Sequence, residues 1–292
     1  CRAGLCFDPN QEMKDCTRFG QCLDFISILR GDKKSNHELH KETGLDSLTD
    51  ETICALSEER IVPDFCIHSI YLSTPNMVKE FALVNKHINA NFQIHISETK
   101  KEVSECKTKY GCSPVEYFNN LGIFDSNVLA AHCVNVSDSD LDILKNKHVS
   151  IVHNPVSNKF LDSGHAPIYE ALKKGINICI GTDGCASNDN LDMFKEMTFA
   201  WMYANEHCPK GCSVSASDIL DMGTINGGKA IRRKCGSIEV GYKADLIALD
   251  FTYSEEDIAL DVIQKANPKN VKYTFANGKL LYRENNFLTL NE

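Results

Sequence analysis

The 292-residue chain has no uncharged run approaching the roughly 20 residues a membrane span requires, and no basic-then-apolar segment opens it, so neither a bilayer nor a secretory route is indicated. Lysine and arginine nowhere gather into a stripe, and a net charge of −9 disfavours a nucleic-acid backbone as partner. Fourteen cysteines are spread through the chain without one Cys-x-x-Cys pair. Cys66, Cys133 and Cys179 lie in or just after apolar runs and read as reduced thiols packed as small hydrophobes; Cys208 and Cys212 are the pair to check for another role. No low-complexity segment and no repeat beyond a strand-plus-helix unit is visible. The expectation is a cytoplasmic protein with no nucleic-acid or membrane partner, its oligomeric state open.

What the chain does contain is a series of five short apolar runs, at 62–68, 92–95, 128–132, 149–153 and 176–183. They end on His68, His95, His132, His153 and Asp183, each able to hold a metal or move a proton. The intervals give room for one crossover helix and its loops, which is how a sequence writes a parallel βαβ array. Helix-start signals fall in the gaps: Thr74-Pro75, Ser113-Pro114 with Glu116, and Ser137 with Asp140. Segments 191–205 and 217–231 read as two more helices, the second weakened by Gly223, Gly227 and Gly228. In a β/α barrel all strand ends open onto one mouth, so residues far apart in sequence converge there.

The fold expected is therefore α/β, a TIM-type (β/α) barrel over residues 1–234 with a small β segment at 235–292. That segment carries β-like runs at 236–241, 244–249, 271–276 and 279–282, the last two joined by the hairpin signal Asn277-Gly278. A strand-like stretch at 2–8 makes about six strand candidates where a barrel closes with eight, and no initiator Met precedes it, so an amino-terminally incomplete barrel is expected.

His95-Ile96-Ser97-Glu98 sets a possible zinc ligand at a strand end and a proton-shuttling carboxylate three residues on; the plainer alternative is a hydrogen-bonded surface histidine. Gly181-Thr182-Asp183-Gly184 lets the backbone turn sharply and hold a carboxylate at the mouth, where the alternative is a turn residue or helix cap, an option strengthened by Ser187-Asn188-Asp189-Asn190 directly after it. His132 and His153 can orient a metal-bound water or sit as satisfied core histidines, with function favoured for His132 and left open for His153. His68, at the rim, suits a substrate heteroatom. His37, His40, His87, His148, His165 and His207 read as surface or structural. The pattern points to a metal-assisted hydrolase.

Taken together, His68-Ser69, His95-x-x-Glu98, Ala131-His132-Cys133, the run from His153 through Asn154-Pro155-Val156-Ser157 to Asn158, and the long motif from Gly181 to Met193 resemble the amidohydrolase superfamily, closest to its 5-methylthioadenosine/S-adenosylhomocysteine deaminase branch. The resemblance runs from about residue 2 to 282, and Gly236-Ser237-Ile238, Gly241 and Ala244-Asp245-Leu246-Ile247 resemble strands of that family's small β domain. It implies one divalent ion, zinc with iron or manganese as substitutes, bound by His95 and Asp183. It further implies that His132 contacts the hydrolytic water, that Glu98 protonates a purine ring nitrogen and that His68 touches the nucleoside substrate. Catalytic roles thus fall on Glu98, His132 and Asp183, and substrate contacts on His68 and Glu98. The paired cysteines of cytidine-type deaminases are absent.

Two positions depart from the family pattern. No His-x-His occurs in the chain, although the family's first strand supplies one to the metal, so the chain as given is expected to be inactive by itself. Phe7 stands near where a substrate-contacting arginine is expected, with Arg18 a weak substitute. The alternatives are a related enzyme acting on guanine, cytosine or a triazine, and a non-catalytic scaffold of the same fold.

Overall fold

A computed structural model of the chain describes residues 62, 64–254 and 256–288. The strand candidate at 2–8, with Phe7, Arg18, His37 and His40, lies outside the described residues.

Five strands, β1 (Phe65–Ile67), β2 (Phe92–Ile96), β3 (Val128–His132), β4 (Ser150–His153) and β5 (Ile178–Ile180), form one parallel sheet in chain order. Each crossover carries helix: α1 (Pro75–Ile88), α2 (Lys100–Tyr110) with α3 (Pro114–Asn120), α4 (Asp138–Asn146), and α5 (Pro155–Phe160) with α6 (Ile168–Lys173). After β5 come α7 (Met193–His207), α8 (Ala216–Gly223) and α9 (Ile225–Ala230).

The helices begin where the sequence offers caps. Thr74 accepts from the Met77 N–H with Pro75 at the first helical position, and both Ser113 with Glu116 and Ser137 with Asp140 close reciprocal capping boxes. Alternation along β2 sorts its side chains: Phe92, Ile94 and Ile96 are fully buried, whereas Gln93 and His95 line the cavity on the opposite face. Phe92 belongs to an aromatic layer in which the Phe65 and Phe81 rings lie 4.6 Å apart and those of Phe81 and Phe92 lie 5.1 Å apart. This layer glues the sheet to α1. Period two therefore does two jobs: one face supplies the core and the other presents polar groups to the interior.

The carboxy-terminal part departs from the expectation in two places. The helix expected at 217–231 is two helices, broken at Thr224, whose φ of −131° and ψ of −98° leave the helical region. The run 236–241 is not a strand: Gly236 and Gly241 bend it with φ of +82° and +89°, and Ile238 and Val240 stand exposed. Alternation alone makes no strand without a partner to pair with. The second sheet is antiparallel, built from β6 (Leu246–Leu249), β7 (Val271–Ala276), β8 (Lys279–Arg283) and β9 (Asn286–Phe287), and α10 (Ile258–Lys265) lies between β6 and β7. Asn277 and Gly278, at φ of +49° and +77°, supply the two left-handed residues that a tight β7–β8 turn needs. No helix among the described residues is long and apolar enough to cross a membrane.

Candidate active site

The carboxyl ends of the parallel strands meet at one mouth, and the backbone there is bent to serve it. Ser97, His132, Cys133 and Asp183 all adopt positive φ, between +47° and +71°. Non-glycine residues rarely do so, and these four stand at or just past strand ends. For His132 the consequence is directional: Leu129 and Ala131 face the cavity, so strict alternation would send His132 outward, but its φ of +71° swings the ring back toward the mouth.

The imidazoles of His68, His95 and His132 stand in a row, with ring centroids 4.8 Å and 5.3 Å apart, and one ligand atom from each of His95, His132 and Asp183 falls within 4.8 Å of the others. His95 donates Nδ1–H to the His68 carbonyl at 2.6 Å, an acceptor that fixes the tautomer and leaves Nε2 with its lone pair free. Nδ1 of His132 lies 2.8 Å from Asn158 Oδ1 and is fixed the same way, which turns Nε2 toward the carboxylate of Glu98 at 3.9 Å. Asp183 Oδ2 accepts from Ser157 Oγ–H at 2.7 Å and Oδ1 from the Gly184 N–H at 2.8 Å.

These contacts set the charges. Burial pushes the Asp183 carboxyl up, but the hydrogen bonds from Ser157 and Gly184 and the nearby His132 and His95 rings outweigh it, so its pKa lies below the ordinary carboxylate value. Burial, then the neighbouring His95, holds His68 below the usual imidazole range. Glu98 is placed by its backbone: its N–H donates to Glu102 Oε2 at 2.7 Å and its carbonyl accepts from Asn135 Nδ2 at 2.8 Å.

Two imidazoles with engaged Nδ1 atoms and one carboxylate kept anionic make a donor set suited to zinc or a similar divalent ion. Unpartnered buried polar atoms nearby, Ser97 Oγ and Asn158 Nδ2, are what a site built for a ligand or solvent leaves behind. Beside the donors opens a cavity of about 620 Å³ whose lining includes Gln93, His95, Asn154, Thr182, Asp183 and Met193. That volume suits a small organic ligand.

His95, His132 and Asp183 thus converge, Glu98 stands beside His132, and the His68 ring lies tilted beside His95 at the rim. His153 is not among them. Val152 and Asn154 line the cavity, whereas His153 faces the helices and lines a separate small pocket with Ile168 and Tyr203. Burial, with His132 a lesser influence, lowers its pKa to about 3, so it is a neutral packed histidine. Nothing in local sequence assigned partners to Ser157 and Asn158, which hold Asp183 and His132, although both lie in the motif that follows His153. Buried Glu102 was also missed; a glutamate three residues past the cap Thr99 is its only local signal. The capping alternative in 187–190 belongs to another residue, since Asp192 caps α7.

A model of the amidohydrolase family matches residues 9–281. A 5-methylthioadenosine/S-adenosylhomocysteine deaminase of Thermoanaerobacter pseudethanolicus is 41% identical over 230 residues, 77% of this chain and 53% of that protein. A 5′-deoxyadenosine deaminase of Methanococcoides burtonii is 39% identical over 219 residues, covering 74% and 50%. Among solved structures, a zinc-bound adenosine deaminase from Xanthomonas campestris superposes with a TM-score of 0.76 at 24% identity, over 94% of this chain and 72% of that one. This likeness carries the barrel-type α/β fold. The chain spans about half the length of the curated relatives it matches.

Proposed function

The chain belongs to the amidohydrolase family, and on that premise we propose that it forms the catalytic part of a zinc-dependent deaminase acting on an adenosine-like nucleoside. The observation that carries the reading is the meeting of His95, His132 and Asp183 within 4.8 Å at the strand ends, with Glu98 beside His132. The deaminases named above support the substrate class. Residues 1–234 are read as barrel and 235–292 as part of a smaller β domain.

His95 Nε2 and the Asp183 carboxylate would hold the metal, as their free lone pairs and fixed orientations allow. A divalent ion there would supply positive charge that acidifies a water toward a pKa of about 7. Asp183, kept anionic by Ser157 and Gly184, is the base placed to take the water's proton. His132, its ring locked by Asn158, orients that water through Nε2. Glu98 delivers a proton to a ring nitrogen of the purine, which makes the amine-bearing carbon electrophilic, and the deprotonated water adds to that carbon. The proton taken by Asp183 passes to the amine, the C–N bond breaks, and ammonia leaves as the added hydroxyl returns its proton to Glu98. His68, neutral through burial, presents a hydrogen-bonding ring to the sugar side of the substrate.

The test is ammonia release by the full-length protein with adenosine, 5-methylthioadenosine, S-adenosylhomocysteine and 5′-deoxyadenosine, alongside its zinc content. Turnover of at least one of them with about one metal per chain is expected. A metal-loaded protein inert toward all four, yet active on guanine, cytosine or a triazine, would move the substrate; a protein that takes up no metal would sink the enzyme reading.

A further inference from the structure

Glu196, in the first turn of α7, is fully buried, yet both of its carboxylate oxygens are engaged by segments other than its own helix. Oε2 accepts from the Val156 N–H at 3.2 Å, and Oε1 accepts from Asn188 Nδ2 at 2.5 Å. The same Asn188 amide donates to the Thr182 carbonyl at 2.6 Å, which ties the tether to the residue before Asp183. Val156 stands immediately before Ser157 and Asn158, the residues that hold Asp183 Oδ2 and His132 Nδ1.

We propose that Glu196 is a positioning residue for the metal and water site: it clamps the Asp183 loop to the start of α5, so that Asp183 and His132 keep their mutual geometry. Two features favour this over simple capping. Asn154, the residue at the cap position of α5, makes no side-chain cap bond and instead faces the cavity, with Nδ2 3.5 Å from His132 Nδ1; Glu196 takes over an orphan N–H of that helix from a distance of 40 residues. Both incoming groups are donors, so the clamp needs two acceptor oxygens, which a carboxylate has and a carboxamide lacks. Asp183 is thereby held twice, at its side chain through Ser157 and at its loop through Asn188, and both holds run back to α7.

The inference rests on the metal site and not on the identity of the substrate. Its test uses the full-length protein with Glu196→Gln, Asn188→Ala and the double variant. Zinc affinity is measured by chelator competition, the site geometry by the visible spectrum of the cobalt-substituted protein, and kcat and KM by ammonia release. Glu196→Gln is expected to lower zinc affinity and kcat by about 10- to 100-fold, to alter the cobalt spectrum, and to leave KM within about threefold. The double variant is expected to be no worse than the poorer single one, because both substitutions cut one tether. Unchanged zinc affinity and cobalt spectrum in Glu196→Gln, or multiplicative losses in the double variant, would overturn the proposal. If Glu196→Gln does not fold, Asn188→Ala decides by the same two metal readouts. Wild-type protein that binds zinc and releases no ammonia would defeat the deaminase reading while leaving these readouts intact.

Discussion

Glu98 and His132 face each other across 3.9 Å, and the proton transfer proposed above is assigned to Glu98. Replacing Glu98 with glutamine keeps size and polarity and removes the titratable proton. The expected result is a kcat lower by about 10²- to 10⁴-fold with zinc content unchanged; full activity in that variant would assign the proton to another group. His153 gives a prediction of a different kind. Its folded pKa of about 3 lies below that of an unfolded imidazole, so between those values the unfolded chain binds the extra proton, and stability present above pH 6.5 is lost as pH falls toward 3. His153→Gln should flatten the dependence of unfolding free energy on pH in that window by up to about 1.4 kcal/mol per pH unit, read by denaturant titrations at pH 7, 5.5 and 4.5. A parallel pair of curves would show that His153 does not titrate on unfolding. The convergence of His95, His132 and Asp183 was legible because each closes an apolar run, and strand ends share a mouth. The roles of Asn158, Ser157 and Glu196 were not: each acts on a residue 26 to 40 positions away, a distance no local pattern encodes.

At the scale of elements, the parallel array was legible from spacing and caps, since capping chemistry is decided within four residues. One capping pair does more than its local sequence says. Ser113 Oγ–H donates to Asp140 Oδ1 at 2.5 Å in a buried bond while Asp140 Oδ2 accepts from the Ser137 N–H, so the boxes that start α3 and α4 form one hydrogen-bonded network. Ser113→Ala should therefore destabilise by more than an isolated cap, about 2 kcal/mol against about 1 for Ser137→Ala, in equilibrium unfolding; equal losses would show the two caps to be independent. The misread run at 236–241 has a backbone cause. A Cβ on Gly236 would sit 2.6 Å from the Thr224 carbonyl carbon and oxygen, and its φ of +82° already favours glycine. Thr224 is where α8 and α9 part, so the glycine packs the break of one segment against the bend of another. Gly236→Ala is expected to cost about 2 kcal/mol or more, because backbone atoms cannot rotate away.

For the molecule as a whole, the candidate ligand atoms come from three separate βα units, near the end of β2, at the end of β3 and after β5. An ion held there would join segments that the unfolded chain leaves far apart, so it would bind the native state and find no comparable site in the unfolded one. Mass action then turns affinity into stability: free zinc at about 100 times its dissociation constant adds about 2.7 kcal/mol. For a domain of this size that corresponds to a rise in Tm of about 5–10 °C, reversed by a chelator. His95→Ala combined with Asp183→Ala should abolish the rise, because the expected ligands are gone, whereas His132→Ala should keep part of it if His132 contacts the water and leaves the ion to the other two. Thermal unfolding with and without zinc, on all three proteins, separates these cases. A rise that survives in the His95→Ala, Asp183→Ala protein would place the ion elsewhere, and one lost completely in His132→Ala would make His132 a ligand in its own right.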